Sequence, residues 1–239
     1  MFRTFWILTI AWLLSSCASV MGLDSDPSRA VETPDYRVGD RWVYHVSDGY
    51  RLPVEWEETH EVTAIENGQI TVRVSRVGDN INDSRIEIWP APGLVSQGAI
   101  MNDETRQFAP PWQRFRFPMR AGESWHKWLH ADRGDKRGGN PDVRTQTIGW
   151  EKIASPLGET DALMMFVYFV LDDDEFWRWP TRGTYKIWYA PAVNNIVYAE
   201  NYAWFVEKTD RESMFEIPVF NATVHLLSYE RGVQGSEVK

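Results

Sequence analysis

Residues Glu61-Val62-Thr63-Ala64-Ile65-Glu66, Asn67-Gly68 and Gln69-Ile70-Thr71-Val72-Arg73-Val74 form the stretch on which the fold reading turns. Ile70, Val72 and Val74 alternate with polar residues, the period of a strand with one buried face. Asn-Gly between two such runs is the strongest short signal for a two-residue β-hairpin, because both positions of its turn need positive φ. The same grammar continues outward. Strands are expected at 41–47, 84–89, 94–100, 124–130, 143–154, 161–171, 184–189, 195–207 and 215–229, with turn residues between them. No stretch carries a long, capped helical period, so the expected fold is all-β: an antiparallel sheet or open barrel-like body.

The body also repeats itself. Val38-Gly39-Asp40-Arg41-Trp42 matches Ala121-Gly122-Glu123-Ser124-Trp125, and Ile88-Trp89-Pro90-Ala91-Pro92 matches Ile187-Trp188-Tyr189-Ala190-Pro191. Two related β modules are therefore expected at 36–109 and 117–230, with Pro110-Pro111 near the join and a polar tail at 231–239. In the shared Gly-acid-x-Trp motif, Gly permits a positive-φ turn, the acid caps it, and Trp opens a strand as a core anchor.

The start of the chain carries an address. Arg3 precedes the apolar run Phe5–Leu14, which as a helix would span roughly 15 Å, about half a hydrocarbon core. Residues 1–16 therefore read as a secretory signal, not as a membrane span. Leu14-Ser15-Ser16-Cys17 resembles the lipobox of bacterial lipoproteins, and Cys17 is the chain's one cysteine. The resemblance implies cleavage before Cys17, lipidation of its thiol and acylation of its new amine. Several acyl chains give stable anchoring where one would not. Ala18, where an Asp would imply inner-membrane retention, points to the outer membrane, with the body facing the periplasm. Residues 17–35, rich in Ser, Asp and Pro, read as lipidated cysteine and flexible tether. The body itself resembles a group of uncharacterised β-rich envelope proteins carrying Gly-Asp-x-Trp-x-Tyr, here Gly39-Asp40-Arg41-Trp42-Val43-Tyr44. That resemblance implies a carrier or scaffold and brings no catalytic residues with it.

Composition narrows the function. A formal net charge of -9 argues against a nucleic-acid partner, and a single cysteine excludes an intramolecular disulfide framework or thiolate zinc cluster. His126 and His130 flank Trp128 on one strand face, but Lys127 stands where an HExxH metal motif needs Glu, so a solvated face is expected and no metal. Asp172-Asp173-Asp174-Glu175 lacks the spacing of a calcium loop and reads as a hydrated hairpin tip. No nucleophile elbow or phosphate loop is present, so neither catalysis nor a cofactor is expected. The chain's 13 Trp, 9 Tyr and 11 Phe instead point to binding. Trp188 and Trp204 read as core. Trp177 and Trp179, beside acids and Pro180, read as partly exposed, and with Trp128 they are the candidate ligand residues. The expected function is a non-catalytic envelope lipoprotein binding an apolar or glycan ligand, or an envelope component. The alternatives are an assembly accessory making only protein contacts and, less favoured, an envelope polysaccharide hydrolase.

Overall fold

A computed structural model describes residues 23–101, 104–132, 139–208 and 215–233. The signal segment and Cys17 lie outside the described residues. So do parts of the 131–142 and 207–215 loops and the last six residues of the tail.

The body is all-β. A short β1 (Ala30–Val31) is followed by β2 (Arg41–Asp48), β3 (Val54–Glu66), β4 (Gln69–Gly78), β5 (Ile81–Trp89), β6 (Leu94–Gly98) and β7 (Arg106–Gln113). The second half adds β8 (Met119–Arg120), β9 (Ser124–Trp128), β10 (His130–Asp132), β11 (Asn140–Ser155), β12 (Gly158–Asp172), β13 (Arg182–Ala190), β14 (Asn195–Val206) and β15 (Glu216–Glu230). Thirteen of these strands form one antiparallel sheet. The Asn67-Gly68 hairpin joins β3 to β4, with φ of 51° and 82° at its two turn residues, as a primed turn requires.

The order of the sheet explains its closure. Each long strand pairs with the next in sequence, and β15 returns to pair with β2. The two edge strands are β9 and β10, separated only by the buried Leu129. β9 pairs with β11 and β10 with β7, so one bent stave joins both edges and the sheet curls round on itself. The 124–130 stretch, expected as one strand, is thus split at Leu129. Its alternation survives the split: His126, Trp128 and His130 are exposed, whereas Leu129 and Ala131 are buried.

Prolines 110 and 111, expected near a join, lie inside β7. They fall where the β6–β7 register jumps from Val95↔Trp112 to Gln97↔Gln107, a gap in the ladder that needs no N–H from either. The 36–109 and 117–230 stretches supply consecutive halves of the one sheet. β1 pairs with β8, so the lead-in to the first half lies against the lead-in to the second.

Because all neighbours are antiparallel, every connection falls at one of two ends. The lead-in, the 67–68 turn, residues 114–123 and residues 231–233 share one end, here termed the entry end. Residues 49–53, 79–80, 99–101, 104–105, 139, 173–181, 207–208 and 215 fall at the other, the far end. Tyr36, Trp42, Trp89, Phe115 and Tyr189 are buried near the entry end, with Tyr36 edge-on to Trp42 and Trp89 and Phe115 edge-on to Tyr189.

The flexible tether expected at 17–35 is corrected for its described part. Asp24 exchanges backbone hydrogen bonds with Trp150, Arg29 lies 4.2 Å over the Trp150 ring and reaches Asp161 at 2.9 Å, and Val31 is buried. Stacking and pairing outweigh the Ser-Asp-Pro composition that reads as coil.

Candidate functional site

Two features could hold a ligand: an aromatic cleft at the far end and a cavity inside the barrel. The cleft starts with strand parity. Ala203 of β14 is buried inward, so Tyr202 and Trp204 point outward, where they stack on one another with ring centroids 5.1 Å apart. Trp204 is therefore an outer-face residue and not the core residue its composition implies. Trp188 is buried, but on the same outer side, where its indole N–H donates to Glu151 at 2.7 Å.

The 173–181 loop then folds over the end of β14. Trp179 N–H donates to Val206 O and Lys208 N–H to Trp177 O, each at 2.8 Å, which fixes both tryptophans beside the strand. Asp173 organises the loop: it accepts from Thr181 N–H at 2.7 Å, from Thr181 Oγ1 at 2.8 Å and from Arg178 at 3.1 Å. The acidic run is thus part scaffold and not wholly a hydrated tip. Trp177 stands edge-on to Phe205 at 5.4 Å, and Lys208 Nζ lies 4.8 Å over Trp179. Trp179 is 53% exposed and Trp177 41%. The resulting cleft, about 300 Å³, is lined by Trp179, Pro180, Arg182, Trp204, Phe205 and Val206. Trp128 is also exposed, on β9 opposite Asp142, but β11 and β12 separate it from the 173–181 loop. Beside it, His126 hydrogen-bonds Asp142. Among the described residues, no group of three or more His, Cys, Asp or Glu could hold a metal ion.

The inner cavity was not legible from charge alternation. Trp56, Glu58, His60 and Val62 share one parity of β3, and Arg85, Glu87 and Trp89 share one parity of β5; both sets face inward. Glu87, 1% exposed, accepts from Arg85 at 3.3 and 3.4 Å, from Arg114 at 3.0 Å and from the Trp89 indole at 3.0 Å. His60 Nε2 lies 2.6 Å from Glu58 Oε1. Burial is the largest influence on each carboxyl and would raise its pKa. The hydrogen bond and charge of His60, with the charge of Arg85, outweigh it at Glu58, and the charges of Arg114, Arg85 and His60 outweigh it at Glu87. Both are held down at about 2, and so stay ionised inside the barrel. Facing them across a cavity of about 160 Å³ is a mostly apolar wall that includes Ile187, Ile196, Ala199, Phe220 and Val224, with Asn195 and Asn201 on the same strand as Ala199. The signal that could have found this cluster is the shared parity of Arg85 and Glu87 with Trp89, the aromatic of a repeated motif.

The described residues contain no helix long and apolar enough to cross a membrane. In sequence, no protein-family model and no curated protein matches the chain. In structure, it is similar to a candidate lipoprotein from Parabacteroides distasonis ATCC 8503, with TM-score 0.47 and 11% identity over 84% of this chain and 100% of that one. It is similar to a candidate exported protein with a YmcC-like fold from Bacteroides fragilis NCTC 9343, with TM-score 0.47 and 10% identity over 85% and 100% of the two chains. It is also similar to the hypothetical lipoprotein YmcC from Escherichia coli K12, with TM-score 0.41 and 8% identity over 80% and 84%.

Proposed function

We propose that this chain is a non-catalytic lipoprotein of the bacterial envelope. Lipid on Cys17 anchors it to the outer membrane, with the barrel facing the periplasm, and its far-end aromatic cleft binds an envelope glycan. The lipobox Leu14-Ser15-Ser16-Cys17 supports the anchor. The observation that carries the rest is the molecule's polarity: the lead-in enters at one end, and Trp177, Trp179 and Trp204 are displayed at the other. Aromatic faces stack on the apolar faces of sugar rings, and Arg182, Lys208 and Asp174 around them can bond hydroxyl groups.

Binding of purified envelope polysaccharide, measured by titration of the wild type and of Trp179→Ala, tests this. Loss of one stacking face should weaken binding by about tenfold, an interaction of about 1.4 kcal/mol. Unchanged affinity in both Trp179→Ala and Trp177→Ala would remove the cleft from the proposal. The second reading, an accessory making only protein contacts, is favoured by Leu52, Phe176 and Phe215, which are almost wholly exposed.

A further inference from the structure

The outer wall beside the cleft carries a second recess. β13, β14 and β15 are neighbours, and their outward side chains stand in cross-strand rows: Arg182 opposite Trp204, Thr184 opposite Tyr202 and Asn221, and Lys186 opposite Glu200 and Thr223. The last two rows line a hollow of about 230 Å³. It adjoins the cleft through the Tyr202–Trp204 stack, since Trp204 lines the cleft and Tyr202, 5.1 Å from it, lines the hollow. From Glu200 to Trp204 the strand rises roughly 14 Å, more than a single sugar ring covers. Among the described residues, the charged groups lining the hollow are Lys186 and Glu200, which pair with each other at 2.8 Å, so the hollow presents no net charge. The side chains of Thr184, Asn221 and Thr223 have no hydrogen-bond partner among the described residues, and each offers a donor and an acceptor. Neutral groups that both give and accept match hydroxyl groups, which do the same, and have nothing to balance the charge of an ion.

We infer that the hollow is a second sugar subsite, so that the protein holds a chain of sugars laid along β14, one ring against Trp179 and Trp204 and a further, uncharged ring over Thr184, Asn221 and Thr223. The inference rests on the reading of the cleft as a glycan site and adds to it the length of the ligand and the charge of one of its sugars. Tyr202 supplies the aromatic side of the hollow, as Trp204 does for the cleft, so each ring has one apolar face to meet and hydroxyl partners at its edge.

Titration calorimetry of the full chain with size-fractionated fragments of purified envelope polysaccharide tests the subsite. Affinity should rise about tenfold from the disaccharide to the longer fragments and then level off. Thr184→Val combined with Thr223→Val removes two hydroxyl groups at nearly constant shape on an outer face. It should cost the longer fragments about tenfold and leave the disaccharide unchanged, whereas Trp179→Ala weakens both. If the double variant does not fold, Asn221→Ala reads the same hollow, with about a fivefold loss for the longer fragments alone. The gain with length should also be equal at low and at physiological salt, because no charge is neutralised over the hollow. A gain that salt abolishes would overturn the uncharged ring. Affinity independent of length, or unchanged in the hollow variants while Trp179→Ala still weakens binding, would overturn the subsite and leave the cleft standing. No binding of any fragment by the folded wild type would remove the cleft, and the subsite with it.

Discussion

At the scale of single residues, the barrel encloses a buried charge network beside its apolar core. Glu87 lies at the centre of a network in which two arginines and an indole satisfy one carboxylate. Its pKa and that of Glu58 fall from about 4.5 unfolded to about 2 folded, so the stability they contribute is present above about pH 4.5. It is lost as the pH falls from there towards 2. Thermal melts of the wild type should therefore drop steeply across that window. Glu87→Gln should show a flatter drop, from a fold already weakened by about 3–5 kcal/mol because two buried guanidinium groups lose their partner. A wild-type melting temperature that is constant between pH 4.5 and 2 would contradict the network. Little of this was readable from the sequence. Glu57-Glu58-Thr59-His60 looks like a solvated strand, and only the register, with Trp56 and Val62 on the same parity as Glu58, turns the second acid inward. The cleft residues were more legible, because Pro180 and the acids keep Trp177 and Trp179 out of a regular strand.

Among the elements, the matched motifs make matched bonds. Gly39 N–H donates to Val62 O and Val62 N–H to Asp40 O; Gly122 N–H donates to Thr147 O and Thr147 N–H to Glu123 O. Each partner strand bulges immediately afterwards, between Val62 and Ala64 and between Thr147 and Gly149. The acid caps the turn in both, Asp40 receiving Arg37 N–H at 2.8 Å and Glu123 receiving Arg120 N–H at 3.4 Å. Both indoles donate to a backbone carbonyl, Trp42 to Val193 and Trp125 to Gln113. We propose that the halves arose by duplication of one six-stave unit. Gly39 and Gly122, with φ of 88° and 83°, then serve one purpose. Gly39→Ala and Gly122→Ala should each cost about 1–2 kcal/mol in denaturant unfolding. At Gly122 no atom crowds the new methyl, so the cost there is conformational alone. The turns and most strands were legible because hairpin chemistry is local. β7 was missed because two prolines argue against a strand, and only a ladder gap created by a distant partner makes room for them.

For the whole molecule, the halves are not separate folding units. The first half ends on β7, which needs β10 of the second, and the second ends on β15, which needs β2 of the first. Neither half closes alone, so calorimetry should show one cooperative transition with equal calorimetric and van't Hoff enthalpies. Two resolved transitions would show that the seams are weaker than the halves. The docked lead-in, in turn, makes the barrel a ruler. With Cys17 as the anchor, the six steps to Leu23 span at most roughly 20 Å, and from Asp24 onward the chain is fastened to the wall. β12, 15 residues long, rises about 50 Å along its own axis, or roughly 35–40 Å along a barrel whose staves tilt by about 35–45°. The aromatic cleft would then lie a barrel's length from the end at which the lead-in enters, at the point of the molecule most remote from its anchor.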